Sequence, residues 1–499
     1  MKIILLLVLS IGGASAQSVS ISGKVSLSGK VQTSATESCI PTATQLANQV
    51  STAAIALPTF PSLPAAGGKY CDPTYGREIL RVSDDSSSYV NVVGQVAFNK
   101  TSTRLATLKA NGTVRIYSID PARMTTSSGT DVAPIVNAVG GGTLLISDAA
   151  YWWSLSTDTD AANTLLFVAG VSLYKIDVTA LVSGNFVAYE IANFGSLLTG
   201  LTDPYLRRCS ASATTMVIGC AVGTPAAYKV VGYLIATLLT HDAGSPTTNW
   251  TTKKKFINGT DSASLSDYQT VTRTGSDMVN YTYALTSPIE AGYGAQGGYK
   301  FWVDRSGEYG VFPSYSVNDS GVASGQYNTQ AIVNLNTSAI TFMQAAGHGD
   351  VGVGYFAGVN SGYGDCATCT KIWPLADMTT DPATASNNGT ALTGSMGYNI
   401  GRQYTSSFSN IGKSVVFTSC VIGGCPATPD AYVGEIFTVG HGGVQDTRRL
   451  VRTNHYLISS AYKELQPAMS PDGLFVAYMS NWGETSVEAT NYVFITRVP

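Results

Sequence analysis

Charged side chains are scarce in this chain. The 499 residues include 29 Lys and Arg and 32 Asp and Glu, so charged residues make up 12% and the formal net charge is −3. Soluble domains usually carry about 25% charged residues. Because proteins that bind nucleic acid present a basic stripe, this mildly acidic balance argues against a nucleic-acid partner.

Long apolar runs are also absent after the first residues. The longest one extends from Val230 to Leu239 and is half the length of a membrane helix. Gly232, Tyr233 and Thr237 interrupt it, which is typical of a buried strand. No long stretch has the 3.6-residue period of a helix, which excludes a polytopic membrane protein and a coiled coil. We therefore predict no membrane span.

The first residues have the features of a signal peptide. Lys2 precedes the apolar run from Ile3 to Ile11, and the small residues Ala14-Ser15-Ala16 follow. A charged start, a short apolar run and an A-x-A site favour cleavage after Ala16. Residues 1–16 are thus a predicted signal peptide, and the mature protein is expected to be secreted or periplasmic. A buried first strand is the alternative interpretation.

The eight cysteines fit an oxidising compartment, where an even number indicates disulfides. Close spacing favours the pairs 209/220, 366/369 and 420/425 as local links, and the pair 39/71 as an anchor of the N-terminal segment. A four-cysteine zinc site is the alternative for the cysteines at 366, 369, 420 and 425. Eight N-x-S/T sequons occur against about five expected by chance, so the sequence alone does not establish glycosylation.

The chain changes character near residue 70. Residues 17–69 are rich in Ser, Thr and Ala, which predicts a flexible arm or linker. Residues 70–499 contain short runs of Val, Ile, Phe and Tyr that alternate with polar residues and end in Gly, Asp or Asn turns. This pattern predicts an all-β domain, with an insertion near 241–290.

An internal repeat indicates the type of all-β fold. Each copy has an apolar anchor, a polar turn of about five residues and an alternating strand, and four copies align without gaps, at Phe98, Val303, Phe408 and Met469. Looser copies and the spacing predict seven units of about 50–60 residues, as in the blades of a β-propeller. The last unit is one strand short. We expect Ile79–Val82 to pair with the C-terminal strand and close the ring.

The stretch from Tyr75 to Val82 and the ending Gln466-PAMSPDGLFVAYMSNWG resemble those of exported bacterial propeller proteins. The Ser470-Pro-Asp-Gly turn is similar to that of TolB-like and related WD40-like seven-bladed β-propellers. The resemblance covers roughly residues 70–499. It implies the fold, and it implies no function, because this scaffold carries hydrolases, lyases and binding modules.

A fainter resemblance concerns propeller-type oligogalacturonate lyases, which hold a divalent metal with three histidines and a glutamine in the central funnel. The chain has only four histidines, and the resemblance implies His348, His455 and Gln466 as metal ligands, with His441 as a further candidate by residue type. The cofactor is otherwise unknown. Two imidazoles and an amide oxygen suit Mn or Zn. The closely spaced histidine pair of that family is missing here, and loop or turn roles are the alternative.

Other polar residues near these histidines complete the candidate site. Arg449 and Arg452 are predicted to bind a carboxylate, and Asp350 is a further ligand-binding candidate. Tyr462 or Lys463 is the candidate base. Solvated edge charges are the alternative for the arginines, and core packing is the alternative to sugar stacking for Trp152, Trp153 and Trp482.

Two functions follow. The first is a monomeric binding or scaffold propeller for an extracellular polymer or protein, such as a polysaccharide. The second is a metal-assisted uronate lyase with its site in the funnel, where the metal would acidify the proton next to the uronate carboxylate. Whether the protein is an enzyme stays open at this point.

Overall fold

A computed structural model describes the chain from Cys39 onward, with gaps. The described residues are 39–86, 88–90, 97–109, 111–146, 151–154, 161–181, 186–213, 215–223, 230–257, 268–272, 282–286, 302–313, 329–337, 339–344, 349–359, 370–378, 389–392, 403–406, 413–418, 432–441, 447–455, 467–483 and 491–499. The predicted signal peptide and residues 17–38 lie outside them.

One α-helix, α1 (Ala43–Val50), opens the described chain. The Thr42 hydroxyl accepts a hydrogen bond from the backbone N–H of Gln45, and the Gln45 side chain accepts one from the backbone N–H of Thr42. This reciprocal capping box fixes the start of the helix. Short 3-10 helices span Ala161–Asn163, Gly195–Leu197 and Leu375–Asp377.

Strands make up most of the remaining structure. The first third of the chain contains β1 (Lys69–Cys71), β2 (Glu78–Arg81), β3 (Ser88–Tyr89), β4 (Arg104–Lys109), β5 (Val114–Asp120), β6 (Thr125–Thr126), β7 (Thr130–Asp131), β8 (Ile135–Asn137), β9 (Thr143–Leu144), β10 (Tyr151–Trp153), β11 (Thr164–Ala169), β12 (Ser172–Asp177) and β13 (Phe186–Asn193). The middle contains β14 (Tyr205–Ala211), β15 (Val217–Gly223), β16 (Val230–Leu238), β17 (Trp250–Ile257), β18 (Tyr268–Thr272), β19 (Thr282–Thr286), β20 (Trp302–Val303), β21 (Tyr309–Pro313), β22 (Thr329–Asn334) and β23 (Ile340–Gln344). The last part contains β24 (Gly349–Val351), β25 (Tyr355–Val359), β26 (Thr370–Pro374), β27 (Thr390–Ala391), β28 (Gln403–Ser406), β29 (Lys413–Thr418), β30 (Glu435–Gly440), β31 (Arg448–Arg452), β32 (Ala468–Met469), β33 (Phe475–Ser480) and β34 (Tyr492–Arg497).

These strands form an all-β propeller of consecutive antiparallel sheets. Sheets β14–β17, β20–β23, β24–β27 and β28–β31 are simple four-stranded meanders. Sheet β10–β13 gains β8 and β9 at its outer edge, with β8 parallel to β13, and the C-terminal sheet has the order β1-β2-β34-β33-β32. Strands β18 and β19 form a separate hairpin within the predicted insertion.

The described residues form six blades, and the predicted count of seven is therefore wrong. The sheet of residues 88–131 is the most irregular of the sheets. Only β4 and β5 are longer than two residues there, while β3, β6 and β7 span two residues each. The repeat at Phe98 correctly marks this hairpin, with Phe98 bridged to Leu105 of β4.

The repeated polar turns connect neighbouring sheets. In the turn after β32, the Asp472 carboxylate accepts hydrogen bonds from the Ser470 hydroxyl at 2.5 Å and from the Leu474 backbone N–H at 3.0 Å. Its other oxygen accepts one from the Ser102 hydroxyl at 2.8 Å, in the turn before β4. Similar bonds join Thr215 to Ser306, at 3.0 Å. These turns therefore link one sheet to the next by hydrogen bonds.

The beginning and the end of the described chain share one sheet. Strand β2 pairs antiparallel with β34, with Ile79 opposite Thr496 and Arg81 opposite Phe494. This is the pairing that the sequence predicts for Ile79–Val82. Strand β33 on the other side of β34 is buried at all six positions, which explains why its sequence reads as a nearly continuous apolar run.

Two of the predicted disulfides are present, Cys39–Cys71 and Cys209–Cys220. The other four cysteines lie outside the described residues, so the predicted pairs 366/369 and 420/425 stay predictions. Across the described ranges, no helix combines the length and the apolar character that crossing a membrane requires.

Candidate functional site

Only part of the predicted site lies in the described residues. His348, Tyr462, Lys463 and Gln466 lie outside them. The structure places Asp350, Arg449, Arg452 and His455, and each of these four side chains is at most 5% exposed. Their burial changes what each can do, so they are considered in turn.

His455 follows β31 and is held by the neighbouring sheet. Its Nδ1 accepts a hydrogen bond from the backbone N–H of Asn481 at 3.2 Å. In a neutral imidazole with Nδ1 as acceptor, the proton sits on Nε2. A metal-binding histidine needs the opposite arrangement, with one nitrogen donating its proton to a protein group and the other facing the metal. The geometry of His455 therefore does not fit the metal role that the resemblance implies.

No metal site is assembled elsewhere in the described residues either, since they contain no group of three His, Cys, Asp or Glu side chains with suitable spacing. His441, the other described candidate, ends β30 and packs edge-on against Tyr355, with ring centroids 4.6 Å apart. Burial lowers the pKa of His441 to about 4. His441 therefore packs within the protein as a neutral ring, and His455 accepts a backbone hydrogen bond, so we derive no step through a metal.

Arg449 belongs to a buried ion pair. Its Nε donates to Glu435 Oε2 at 2.6 Å, and its Nη2 donates to Glu435 Oε1, so the contact is bidentate. Arg452 Nη2 lies 3.0 Å from the same Oε1. All three side chains are completely buried. Burial alone would lower the pKa of Arg449, but the Glu435 carboxylate outweighs it and raises that pKa.

The N-terminal segment also accepts hydrogen bonds from both arginines, while Arg452 Nη1 donates to the carbonyl oxygen of Val433 at 2.8 Å. Arg449 Nη1 donates to the carbonyl oxygens of Ser51 at 3.2 Å and Ala53 at 2.8 Å, and Arg452 Nη2 donates to that of Ile55 at 2.6 Å. With the segment in place, the two guanidinium groups do not face an open surface. Their predicted role as carboxylate ligands stays a prediction, and it requires this segment to move.

These contacts also change the view of residues 39–69, which the sequence predicts as a loose arm. Three amide side chains of α1 donate to successive carbonyl oxygens of the segment 73–75: Gln45 to Pro73, Asn48 to Thr74 and Gln49 to Tyr75. The capping pattern at Thr42 and Gln45 is the sequence signal for this helix. The Ser-, Thr- and Ala-rich composition of the segment does not reveal it. We refer to residues 39–77 as the N-terminal clasp.

Asp72, which sequence reasoning missed, joins the clasp to the propeller. Its Oδ1 accepts the backbone N–H groups of Thr74 at 2.8 Å and Tyr75 at 2.7 Å, and its Oδ2 accepts that of Arg452 at 2.9 Å. Burial raises the pKa of Asp72 to about 6, against the effect of these hydrogen bonds and of the Arg452 charge. The signal for this turn was the Asp-Pro pair at 72–73.

Asp350 lies in β24 and not in a flexible loop. Its carboxylate is 3.5 Å from Nη2 of Arg305, and both side chains are buried. Arg305 follows Asp304, whose carboxylate accepts five hydrogen bonds, four from the turn of residues 306–309 and one from the backbone N–H of Gly354. This arrangement joins two adjacent blades, so Asp350 takes part in blade packing.

A partly exposed aromatic cluster is the other feature at the clasp. Trp482 stacks on Phe494 with centroids 5.2 Å apart and meets Tyr70 at 5.2 Å and Phe60 at 6.1 Å edge-on. Its indole N–H donates to the carbonyl oxygen of Pro61 at 3.2 Å. Phe60, Tyr70 and Trp482 are each half-buried, and we call them the aromatic cluster. By contrast, Trp152 and Trp153 are buried in the core.

Comparisons with known proteins concern the fold alone. No family model matches the chain, and no curated protein matches it. An oligogalacturonate lyase from Vibrio parahaemolyticus has 11% identity and a TM-score of 0.41, over 88% of this chain and 98% of that one. The WD40 repeats of RRP9 have 8% identity and a TM-score of 0.44, over 87% of this chain and 100% of that one. The TolB-like resemblance stays a prediction.

Proposed function

We propose that this chain is an exported propeller that binds or scaffolds an extracellular polymer, such as a polysaccharide. The observation that carries the proposal is the contrast between the two kinds of candidate group. The described charged candidates are buried and bonded to the protein's own groups, whereas the three residues of the aromatic cluster are each only partly buried. Aromatic rings with one accessible side suit the apolar faces of sugar rings.

Export is supported by the signal-like residues 1–16 and by the two disulfides, which persist in oxidising compartments. N-terminal sequencing of protein recovered outside the cell tests this part, with Gln17 expected as the first residue. An intact Met1 would contradict it.

We further infer that the propeller is a closed ring and a monomer. The pairing of β2 with β34 and the hydrogen bond between Ser102 and Asp472 support closure, because both join the start of the propeller to its last sheet. A closed ring leaves no blade face uncovered. Light scattering of the purified protein is expected to give the mass of one chain.

Binding is tested by electrophoresis through gels that contain a uronate polymer or a neutral glucan. We expect one of these polymers to retard the wild type, and we expect Trp482→Ala to lower the affinity at least tenfold, which is about 1.4 kcal/mol. Trp250→Ala is the matched control, because Trp250 is also a half-buried tryptophan with its N–H on a carbonyl oxygen, of Asn193. No retardation by any polymer, or equal effects of the two variants, would contradict the proposal.

The metal-assisted uronate lyase is the second hypothesis, and the geometry of His455 does not favour it. The same preparation, supplied with Mn²⁺ or Zn²⁺ and a uronate polymer, is expected to form no unsaturated product by ultraviolet absorbance. Product formation would replace the binding proposal by the lyase.

A further inference from the structure

Four of the eight N-x-S/T sequons lie in the described residues, at Asn99, Asn111, Asn249 and Asn336. An N-linked oligosaccharide replaces one hydrogen of the asparagine Nδ2 and needs open space around that atom. The folded structure can therefore separate the sequons that accommodate a sugar from those that do not.

The sequon at Asn99 belongs to the interior. Asn99 is completely buried in the repeated turn before β4. Its Nδ2 donates to the carbonyl oxygen of Ala162 at 2.7 Å, and its Oδ1 accepts the backbone N–H groups of Thr103 and Arg104. An oligosaccharide on this nitrogen would have no room and would break a contact between neighbouring sheets.

Asn249 is similarly placed. It is 9% exposed, and its Nδ2 donates to the carbonyl oxygen of Asp242. The next residue, Trp250, packs against Phe194 with ring centroids 4.8 Å apart. A sugar at Asn249 would have to displace this packed loop.

Asn111 has the opposite environment. It is exposed at the tip of the hairpin between β4 and β5, and Gly112 beside it is exposed as well. A Cβ built on Gly112 would have no atom within 4 Å, so the space around the tip is open. The Oδ1 of Asn111 accepts the backbone N–H of Thr113, the third sequon residue, at 3.0 Å. That hydrogen bond involves Oδ1 of Asn111 and does not involve Nδ2, the atom to which the sugar is attached.

We propose that Asn111 carries an N-linked oligosaccharide, and that Asn99 and Asn249 carry none. The donor is an oligosaccharide linked to a lipid through pyrophosphate. The bond from the anomeric carbon to the pyrophosphate breaks, a bond from that carbon to Nδ2 forms, Nδ2 loses one proton, and the lipid pyrophosphate leaves. Nothing is oxidised or reduced. The inference rests on the proposed export, because the transfer takes place in the secretory pathway, and it does not depend on the polymer.

Asn336 is also exposed, at the turn between β22 and β23, and Lys253 Nζ lies 3.3 Å from its Oδ1. Its third sequon residue lies outside the described residues. The proposal is therefore confined to Asn111, where all three sequon residues are placed.

The test uses the full chain, with its own first residues, secreted by a host that performs N-glycosylation. Peptide N-glycosidase converts a glycosylated Asn to Asp, which peptide mass spectrometry detects. We expect conversion at Asn111 and unchanged Asn at 99 and 249. Thr113→Ala and Asn111→Gln are expected to remove one oligosaccharide from the intact mass, whereas the matched variant Thr113→Ser keeps it.

The possible results separate the inference from the proposed function. Secreted protein with unmodified Asn111, or with a sugar on Asn99 or Asn249, overturns the inference and leaves export standing. A retained chain with Met1 intact and bare Asn111 overturns both. A chain with the sugar on Asn111 that binds no polymer supports the inference and contradicts the binding proposal.

Discussion

The Glu435 carboxylate receives two hydrogen bonds from the Arg449 guanidinium in a part of the protein from which water is excluded. Arg452 Nη2 also lies 3.0 Å from this carboxylate, so one buried carboxylate pairs with two buried guanidinium groups. The excess positive charge is balanced by backbone carbonyl oxygens of the N-terminal clasp, at Ser51, Ala53 and Ile55. The clasp is therefore bound by charge-assisted hydrogen bonds, which are stronger than neutral ones.

Removal of the Glu435 carboxylate is expected to lower the free energy of unfolding strongly. Glu435→Ala would remove the bidentate partner of the buried Arg449 guanidinium, and breaking a buried pair typically costs about 3–5 kcal/mol. Unfolding in urea measures this loss. Asp120→Ala is the control, because Asp120 pairs with the exposed Arg123 and exposed ion pairs contribute little to stability. Equal losses for the two variants would show that Glu435 has no special role.

A second prediction concerns Gly76, where the clasp turns with φ at +68°. A Cβ there would lie 2.7 Å from Oε1 of Gln45 and 2.8 Å from Cα of Pro41. Gly76→Ala should therefore loosen α1 and speed proteolysis within residues 51–66. Gly140→Ala is the control, since Gly140 has φ at +88° and open space around its Cβ position. Gly140→Ala has the same cost of placing an alanine at positive φ, about 1 kcal/mol, but its Cβ meets no other atom. Similar proteolysis of the two variants would argue against tight docking of the clasp.

Two buried groups should give opposite pH dependence. Because burial raises the pKa of Asp72 to about 6, its contribution to stability is complete below about pH 4 and is lost as the pH rises through 6. Because burial lowers the pKa of His441 to about 4, its contribution is complete above about pH 6.5 and is lost as the pH falls through 4. The two effects partly cancel in the wild type.

Single variants separate these effects. Relative to the wild type, Asp72→Asn should gain up to about 3 kcal/mol in the free energy of unfolding between pH 4 and 6, at about 1.4 kcal/mol per pH unit. Relative to the wild type, the free energy of unfolding of His441→Gln should fall as the pH rises over the same range. Urea unfolding at several pH values measures both slopes. Burial raises the pKa of Tyr70 and of Tyr478, the two tyrosines that interact with Asp72, further above this range, so parallel slopes in both variants would contradict the assignment.

The C-terminal strand offers a test of ring closure. Deletion of residues 491–499 removes β34 and leaves β2 and β33 without their shared partner. We expect the whole propeller to lose cooperative stability, because an open ring exposes blade faces. Deletion of Pro499 alone, which is exposed and follows β34, is the control. If the truncated chain melts in two independent steps, the propeller consists of separate halves.

The sequence predicts features that depend on local pattern. The apolar anchors at Phe98, Val303 and Met469 are buried as the repeat requires, and the neighbours Cys209 and Cys220 form their disulfide. The strand count of the last repeat unit, which is one short, also predicts β2 as the partner of the last strand. In the first two cases, residues a few positions apart carry the whole signal.

The sequence fails where the partner is remote. Arg449 reads as a surface cation because nothing near it reveals that Ser51 and Ala53, about 400 residues earlier, will cover it. His455 reads as a ligand, although the backbone of Asn481 fixes its tautomer. The blade count also fails, because the spacing of repeated anchors does not reveal how many strands each unit pairs into one sheet.

The shared sheet of β2 and β34 has a consequence for synthesis. Arg81 pairs with Phe494, which the ribosome adds 413 residues later. At a synthesis rate of about 5–20 residues per second, β34 is made roughly 20–80 s after β2. During that time its apolar side chains and unpaired backbone groups form an open strand edge, which other chains can join. The nascent chain must therefore depend on a chaperone, or on delayed folding, until its last strand has left the ribosome.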